Sequence, residues 1–297
     1  MEPAERKEPN SAEHVVPDGD VVLVVGEQKT RLRVYSQCLR SASNVFNAMF
    51  GCHWSEGQGI SSQSPRDVPL MDDDAHAMRL ICSVIHHRNT NIPDTLTASE
   101  VLQIAVEADK YDLSVALKYA RAHWLKPKGD EDMTDMAYLM VAAFLFRDMG
   151  AFVARSLDLV INYKETFLGL LDDENISQMI PLKTFYLLAE RRTRFRAEIS
   201  QLLFECANTG CSCGWGKNRG EKCALLQSEY QPLKMIDVPV LEIIDNMKAI
   251  STEDMGRKYH SDRQRSGYYH ETPPYEKTPL GRIESMKGKA GICLDDI

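Results

Sequence analysis

The sequence predicts an α+β domain followed by an all-helical region, and three observations support this prediction. A β-branched run at 21–26 and an alternating segment at 30–36 flank the short turn GEQK, as in a β-hairpin. A third short apolar segment, DVPLMD at 67–72, follows a stretch rich in Gly and Ser. From Asp74 onward, apolar residues recur three and four positions apart, which is the period of a helix packed on a core. Strands that come first and helices that follow are typical of the α+β class.

Composition limits the kind of protein. The chain has 297 residues, 43% of them hydrophobic, and a net charge of -8. This length is sufficient for a sizeable core, and two units are expected. The acidic balance makes nucleic acid an unlikely partner, because phosphate binding normally requires a basic surplus. No apolar run reaches the roughly 18 residues of a membrane span, and the polar start MEPAERKEPN is unlike a signal peptide. We therefore expect no membrane partner and a cytoplasmic and/or nuclear location.

The predicted domain boundaries follow changes in composition. Residues 1–18 carry three prolines and many charges without an apolar period, which predicts a disordered lead-in. The α+β domain is predicted at 19–125, and the linker KPKGDED occupies 126–132. Residues 133–250 form the predicted helical extension. The last segment, 251–297, contains TPPYEKTP and few apolar residues, so it is predicted to be a disordered tail.

Several helices have recognisable ends. Thr97 and Glu100 are in capping-box register, in which each side chain satisfies a backbone N–H group of the first turn. Pro181 suits the first turn of a long helix that is predicted to run to about Glu205. A last amphipathic helix is predicted at 239–250.

A small set of residues resembles a known family. Asp20 opens the first strand in GDVVLVVG. A segment with the spacing Ser-x-x-Phe-x-x-Met-Phe follows, at Ser43, Phe46, Met49 and Phe50. With the order of strands and helices, these residues resemble the BTB/POZ domain family over 19–125. The resemblance implies the BTB/POZ fold, a small sheet with helical hairpins, in which Asp20, Ser43 and Phe46 belong to the core. It also implies a protein-protein interaction module that self-associates as a homodimer.

The helical remainder is similar to the extensions that follow BTB domains in many uncharacterised fungal proteins. The similarity includes the segment CSCGW at 211–215. Such an extension is expected to present a surface to a client protein, whose identity the sequence does not indicate.

A short segment suggests a second partner. BTB adaptors that bind a cullin scaffold commonly carry an apolar-x-Glu signature after the Met-Phe segment, and Trp54-Ser55-Glu56 resembles it in kind and position. The resemblance therefore implies partner-binding roles for Trp54 and Glu56, with Met49 and Phe50 beside them, and a substrate adaptor for a cullin-based ubiquitin ligase. The alternative is that Trp54 packs on its own domain and Glu56 is solvated.

Four cysteines are close together in the sequence, and four thiolates is the number that a structural zinc requires. They are Cys206, Cys211, Cys213 and Cys223. The C-x4-C-x-C-x9-C spacing fits a tetrahedral site poorly, because strong zinc signals contain paired C-x2-C segments. We expect free thiols and no metal, with zinc as the alternative.

The remaining residues with a possible binding or catalytic role suggest one alternative function. The basic run RRTRFR at 191–196 is predicted to be a solvated helix face. Phosphate contact is the alternative, and with the cysteine cluster it would indicate a nuclear scaffold or transcription-associated regulator. Phosphate-cradling glycines, a nucleophile elbow and an H-E-x-x-H segment are absent from the sequence. We therefore expect no enzyme and no cofactor.

Overall fold

The computed structural model describes residues 13–51, 57–207, 217–231, 234–255 and 279–297. The chain divides into two compact units, one ending at Ala151 and the other beginning at Phe152. The two units are considered separately below.

The first unit contains a four-stranded sheet with the order β1-β3-β2-β4. Its strands are β1 (Glu13–His14), β2 (Val21–Val25), β3 (Thr30–Val34) and β4 (Arg66–Leu70). Strand β2 pairs antiparallel with β3 and parallel with β4, so Leu23 lies opposite both Leu32 and Val68. A strand with neighbours on both sides buries most of its side chains, which explains the continuous β-branched run at 21–26. The three strands that the sequence predicts are therefore confirmed.

Six α-helices lie wholly within the described part of the first unit. They are α1 (Ser36–Ala42), α2 (Asn44–Met49), α3 (Ala75–Ile85), α4 (Ala98–Lys110), α5 (Lys118–Trp124) and α6 (Met133–Leu145). The predicted capping box of α4 is present, because Thr97 N–H donates to Glu100 Oε2 at 2.7 Å and Glu100 N–H donates to Thr97 Oγ1 at 3.2 Å. The division between the units falls after the linker predicted at 126–132. Helix α6 packs on α4, and it buries side chains around most of its circumference.

Helix α7 (Met149–Asn162) spans the division, and the helices of the second unit follow it. They are α8 (Glu174–Ser177), α9 (Lys183–Ala207), α10 (Lys217–Glu229), α11 (Val240–Met255) and α12 (Pro279–Ala290). The long helix predicted from Pro181 to about Glu205 corresponds to α9, and the one predicted at 239–250 corresponds to α11. Among the described residues, no helix combines the length and the apolar character needed to cross a membrane.

Both predicted disordered ends differ from the structure where it describes them. Within 1–18, Val15 and Val16 are buried, and Val16 N–H donates to Arg33 O at 3.2 Å. Within 251–297, α12 and the residues after it are ordered. Ile292 is fully buried, and its N–H donates to Ser156 Oγ at 2.9 Å. Few residues of the second segment are apolar, but Ile283, Met286 and Ala290 lie on one face of α12 and are buried.

Candidate protein-interaction surface

Ser43 fixes the start of α2. Its Oγ accepts a hydrogen bond from Phe46 N–H at 3.0 Å, as an N-cap serine does. The same hydroxyl donates to Tyr111 O at 2.5 Å. One buried side chain therefore caps α2 and attaches it to the end of α4.

Phe46 is the centre of an aromatic stack beneath α2. Its ring lies 4.5 Å from that of Tyr111 and 5.8 Å from that of Phe50, centroid to centroid. Phe46 is 0% exposed and Phe50 is 2% exposed. Phe50 therefore packs inside the domain, and the prediction that it contacts a partner directly is corrected. Met49, on the same helix, is half-buried.

Asp20 joins the beginning of β2 to the first turn of α1. Its Oδ1 accepts from Ser36 N–H at 2.7 Å, and its Oδ2 accepts from Ser36 Oγ at 2.8 Å. A carboxylate at a helix start satisfies a backbone donor that the helix itself leaves unpaired. Asp20 thus fixes the angle at which the chain leaves the sheet.

His86 is a structural residue of the same region. Its Nε2 accepts from Tyr35 N–H at 3.0 Å, which requires the ring hydrogen to be on Nδ1, and Nδ1 donates to Cys82 O at 2.8 Å. Burial lowers the pKa of His86. The neutral imidazole therefore bridges two backbone groups.

A buried polar cluster continues from Tyr111. Its hydroxyl donates to Asp73 Oδ2 at 2.5 Å, and Lys110 Nζ pairs with Asp73 Oδ1. Burial, with the hydrogen bond to Asp73, raises the pKa of Tyr111. Asp73 is only 5% exposed, and these two donors satisfy both of its carboxylate oxygens. The stack under α2 is thereby connected to the segment that precedes α3.

Glu107 is the member of this cluster whose carboxyl group is only partly hydrogen-bonded. Its Oε1 accepts from Asp74 N–H at 2.7 Å, whereas Oε2 has no hydrogen-bond partner in the part of the chain that the structure describes. Glu107 is 4% exposed. Burial raises the pKa of Glu107 to about 7. Ionisation of this carboxyl therefore opposes folding near neutral pH.

Glutamine at position 107 should remove this dependence on pH. The raised pKa of Glu107 contributes stability that is complete below pH 4.5 and is lost as the pH rises through about 7. The difference in unfolding free energy between Glu107→Gln and wild type should therefore shift in favour of the variant by roughly 3 kcal/mol between pH 4.5 and pH 8. Urea denaturation of both proteins at several pH values measures this difference in unfolding free energy. The effect of His86 on the pH dependence cancels in the difference, because both proteins contain His86. If the unfolding free energies of Glu107→Gln and wild type depend on pH in the same way, the prediction is contradicted.

Two glycines bring together the ends of the loop that follows α2. A Cβ atom on Gly57 would lie 2.2 Å from Gly51 O and 2.6 Å from Phe50 O, so only glycine fits there. The five residues between Gly51 and Gly57 include Trp54 and Glu56 and lie outside the described residues. Their predicted partner-binding roles therefore remain predictions, on a loop whose two ends touch.

Apolar side chains are exposed elsewhere in the first unit. Val115 is 85% exposed and Tyr119, four positions later, is 87% exposed. Asn44 Nδ2 donates to Asp112 Oδ2 at 3.3 Å, which joins the start of α2 to the turn that leads to Val115. Val45, on α2, is 37% exposed. We call Val45, Val115 and Tyr119 the α2 surface. The sequence analysis missed it, since neither Val115 nor Tyr119 belongs to a recognisable motif.

The arginines of α9 act inside the second unit. Arg192 is 9% exposed and donates to Tyr163 O at 3.1 Å and Glu165 O at 2.7 Å. Burial lowers the pKa of Arg192 to about 10. Arg196 donates to Val238 O at 3.0 Å. The predicted solvated face is therefore wrong for these residues, which tie backbone carbonyls to the helix.

The cysteine cluster lies largely outside the described residues. Cys211 and Cys213 are not described, and of Cys206 and Cys223 only the helical backbone is. Among the residues that the structure does describe, no group of three or more His, Cys, Asp or Glu is placed to hold a metal ion. The absence of zinc from this cluster stays a prediction.

The small sheet, the helical hairpins and the capped helix α2 define an interaction domain without a catalytic constellation among its described residues. Residues 18–123 match the model of the BTB/POZ domain family. Residues 18–123 therefore form a BTB/POZ domain, and BTB/POZ domains are protein-protein interaction modules. The resemblance and the α+β fold class are both confirmed. No curated protein matches the chain.

Proposed function

We propose that this protein is a self-associating, non-enzymatic substrate adaptor for a cullin-based ubiquitin ligase, acting in the cytoplasm and/or nucleus without a cofactor. The BTB/POZ domain would bind the cullin, and the helical extension would bind a client protein. The observation that supports this proposal best is the exposed α2 surface, in the same domain as the sequence signature Trp54-Ser55-Glu56.

The α2 surface has the character of a partner contact. A tyrosine that is 87% exposed leaves most of its ring in water. Burying such a ring against a partner removes apolar surface from water, which stabilises the complex. Tyrosine and tryptophan are enriched among the residues that dominate binding energy. In this proposal, Trp54 and Tyr119 supply two aromatic contacts from one domain.

The arginine contacts count against the alternative of a nuclear scaffold or transcription-associated regulator. That alternative uses the basic run of α9 to contact phosphate. Arg191, Arg192 and Arg196 instead donate to backbone carbonyls of their own unit. Guanidinium groups used in this way are poorly placed to contact nucleic acid.

Cullin capture by a matched pair of tyrosine variants tests the proposal. Tyr119→Ala should weaken capture of a purified cullin by about 30-fold, as loss of a dominant contact does. Tyr186→Ala is the control, because Tyr186 is 69% exposed on α9 of the second unit; its capture should equal that of wild type. Both variants should keep the melting temperature of wild type, since neither side chain is buried. No capture by wild type, or equal loss in both variants, would remove the cullin part of the proposal.

Self-association can be measured independently. Among the described residues, the edge strand β1 pairs with two of the five residues of β3, and the edge of a sheet is a site at which a second chain can add. We expect sedimentation to show a dimer at tens of micromolar, on the order of ordinary dimer affinities. A monomer throughout that range would contradict this expectation.

A further inference from the structure

Residues 289–297, which end α12 and follow it, pack on α7 and α9 in the second unit. We call them the docked segment. Ala290 is 5% exposed and Ile292 is 0% exposed, whereas Cys293, the next residue, is exposed. Residues 256–278, which connect α11 to α12, lie outside the described residues. The deeply buried part of the docked segment is therefore short.

Gly291 brings the backbone of the docked segment against α7. A Cβ atom at this position would lie 2.6 Å from Val153 Cγ1 and 2.7 Å from Val153 O. The carbonyl oxygen belongs to the backbone of a helix, which the helical hydrogen bonds hold in place. Only glycine therefore fits at this position. A Cβ atom on Gly288, in α12, would have no neighbouring atom of the described residues within 4 Å.

Ser156 of α7 provides an acceptor for the backbone of the docked segment. The residue is 0% exposed. Its hydroxyl donates to Val153 O at 3.0 Å and accepts from Ile292 N–H at 2.9 Å. Buried polar groups are almost always hydrogen-bonded, so this hydroxyl oxygen needs a donor whenever the surface is covered. Ser156 thus recognises a backbone N–H group, which any residue except proline supplies.

Arg191 of α9 contacts both ends of the docked segment. Its Nη1 donates to Lys289 O at 3.1 Å, and its Nη2 donates to Asp296 Oδ2 at 3.5 Å. Asp296 Oδ2 also accepts from Cys293 N–H at 3.1 Å, which closes the turn after Ile292. One guanidinium therefore recognises a backbone carbonyl before the glycine and a carboxylate after it.

Together these contacts recognise a short sequence pattern, as peptide-binding surfaces do. We propose that the face of α7 and α9 beneath the docked segment is the client-binding surface of the helical extension, and that the docked segment occupies it as an intramolecular competitor. This inference rests on the proposed function, in which the extension binds a client protein. The client segment has the same pattern: a glycine, then an aliphatic residue, then an acidic residue four positions later. Its binding displaces the docked segment.

A labelled peptide tests this surface on the full-length protein. The probe is a fluorescent peptide with the sequence of residues 279–297, and its binding is followed by anisotropy in the presence of a thiol reductant. A tethered segment competes at an effective concentration on the order of millimolar, so wild type should bind the probe weakly. Gly291→Ala releases the tethered segment and leaves α7 and α9 unchanged. This variant should therefore bind the probe at least about 10-fold more tightly than wild type does.

Two further variants and a second probe complete the design. Gly288→Ala is the matched control, because its methyl group meets no neighbour, and it should bind the probe as weakly as wild type. Asp296→Asn removes the charge that faces Arg191 at a partly exposed position, so it should fold normally and tighten probe binding by roughly threefold. A probe that contains alanine at position 291 should bind none of the proteins.

The proposal is overturned if Gly291→Ala and Gly288→Ala bind the probe equally, or if the alanine probe binds as well as the natural sequence. Loss of helical circular dichroism in Gly291→Ala would also overturn it, because the segment would then be part of the fold. A dimer that Gly291→Ala dissociates and Gly288→Ala does not would assign the docked segment to a second copy of the chain, against the intramolecular arrangement. Cullin capture by the same variants should equal that of wild type, since Tyr119 lies in the first unit. A wild-type protein that captures no cullin would remove the cullin proposal and leave probe binding unaffected.

Discussion

Replacing Phe46 with alanine is expected to lower the unfolding free energy of the BTB/POZ domain by about 3–5 kcal/mol. The side chain is 0% exposed and its ring stacks between those of Tyr111 and Phe50. Alanine would leave a cavity that the rings cannot fill without moving α2, which Ser43 attaches to Tyr111 O. The loss therefore includes both the transferred apolar area and the aromatic contacts.

The neighbouring residue provides the control for this experiment. Val45 lies on the same helix and is 37% exposed, so Val45→Ala should change stability by less than about 1 kcal/mol. Urea denaturation of both variants, followed by fluorescence and circular dichroism, measures the two changes. Equal losses would show that α2 is held by its backbone and cap rather than by the Phe46 stack.

Much of the fold is predictable because its signals are local. The run at 21–26 predicts a buried strand from six consecutive residues, and Thr97 and Glu100 predict the start of α4 from two. The segments that sequence analysis missed depend on a few apolar residues at wide spacing. Ile283 and Met286 lie on one face of α12 and are buried, but they stand in a segment that is otherwise polar. Average composition therefore predicts disorder in this segment, although the few apolar residues on one face of α12 are sufficient for packing.

The candidate site is less predictable, because its contacts join distant parts of the chain. The spacing of Ser43 and Phe46 suggests a core segment, but their common partner Tyr111 is 68 positions after Ser43. The sequence does not indicate that Asp73 would pair with Tyr111, nor that Glu107 would be buried beside them. The prediction of a solvated face at 191–196 is wrong for Arg192 and Arg196 for the same reason, whereas Arg194 is exposed. A helical projection predicts the direction in which a guanidinium group points, but it does not predict the backbone carbonyl group to which that guanidinium donates a hydrogen bond.

Replacing Trp54 with alanine is expected to weaken cullin binding by at least about 2 kcal/mol, or roughly 30-fold, and to leave the stability of the domain unchanged. The core under α2 is complete without this residue, because Phe46 already packs against both Tyr111 and Phe50. Gly51 and Gly57, which precede and follow the segment that contains Trp54, lie close together. Glu56→Ala should act in the same direction, through loss of a carboxylate acceptor.

A second tryptophan provides the comparison that separates the two interpretations of Trp54. Trp124 ends α5 and is 8% exposed, so Trp124→Ala should lower the unfolding free energy by about 3–5 kcal/mol. Thermal melts and cullin capture are measured for both variants and for wild type. If Trp54→Ala lowers the melting temperature as much as Trp124→Ala does, Trp54 packs on its own domain. Any loss of capture then follows from unfolding, and Tyr119 alone remains as the aromatic contact of the proposed adaptor.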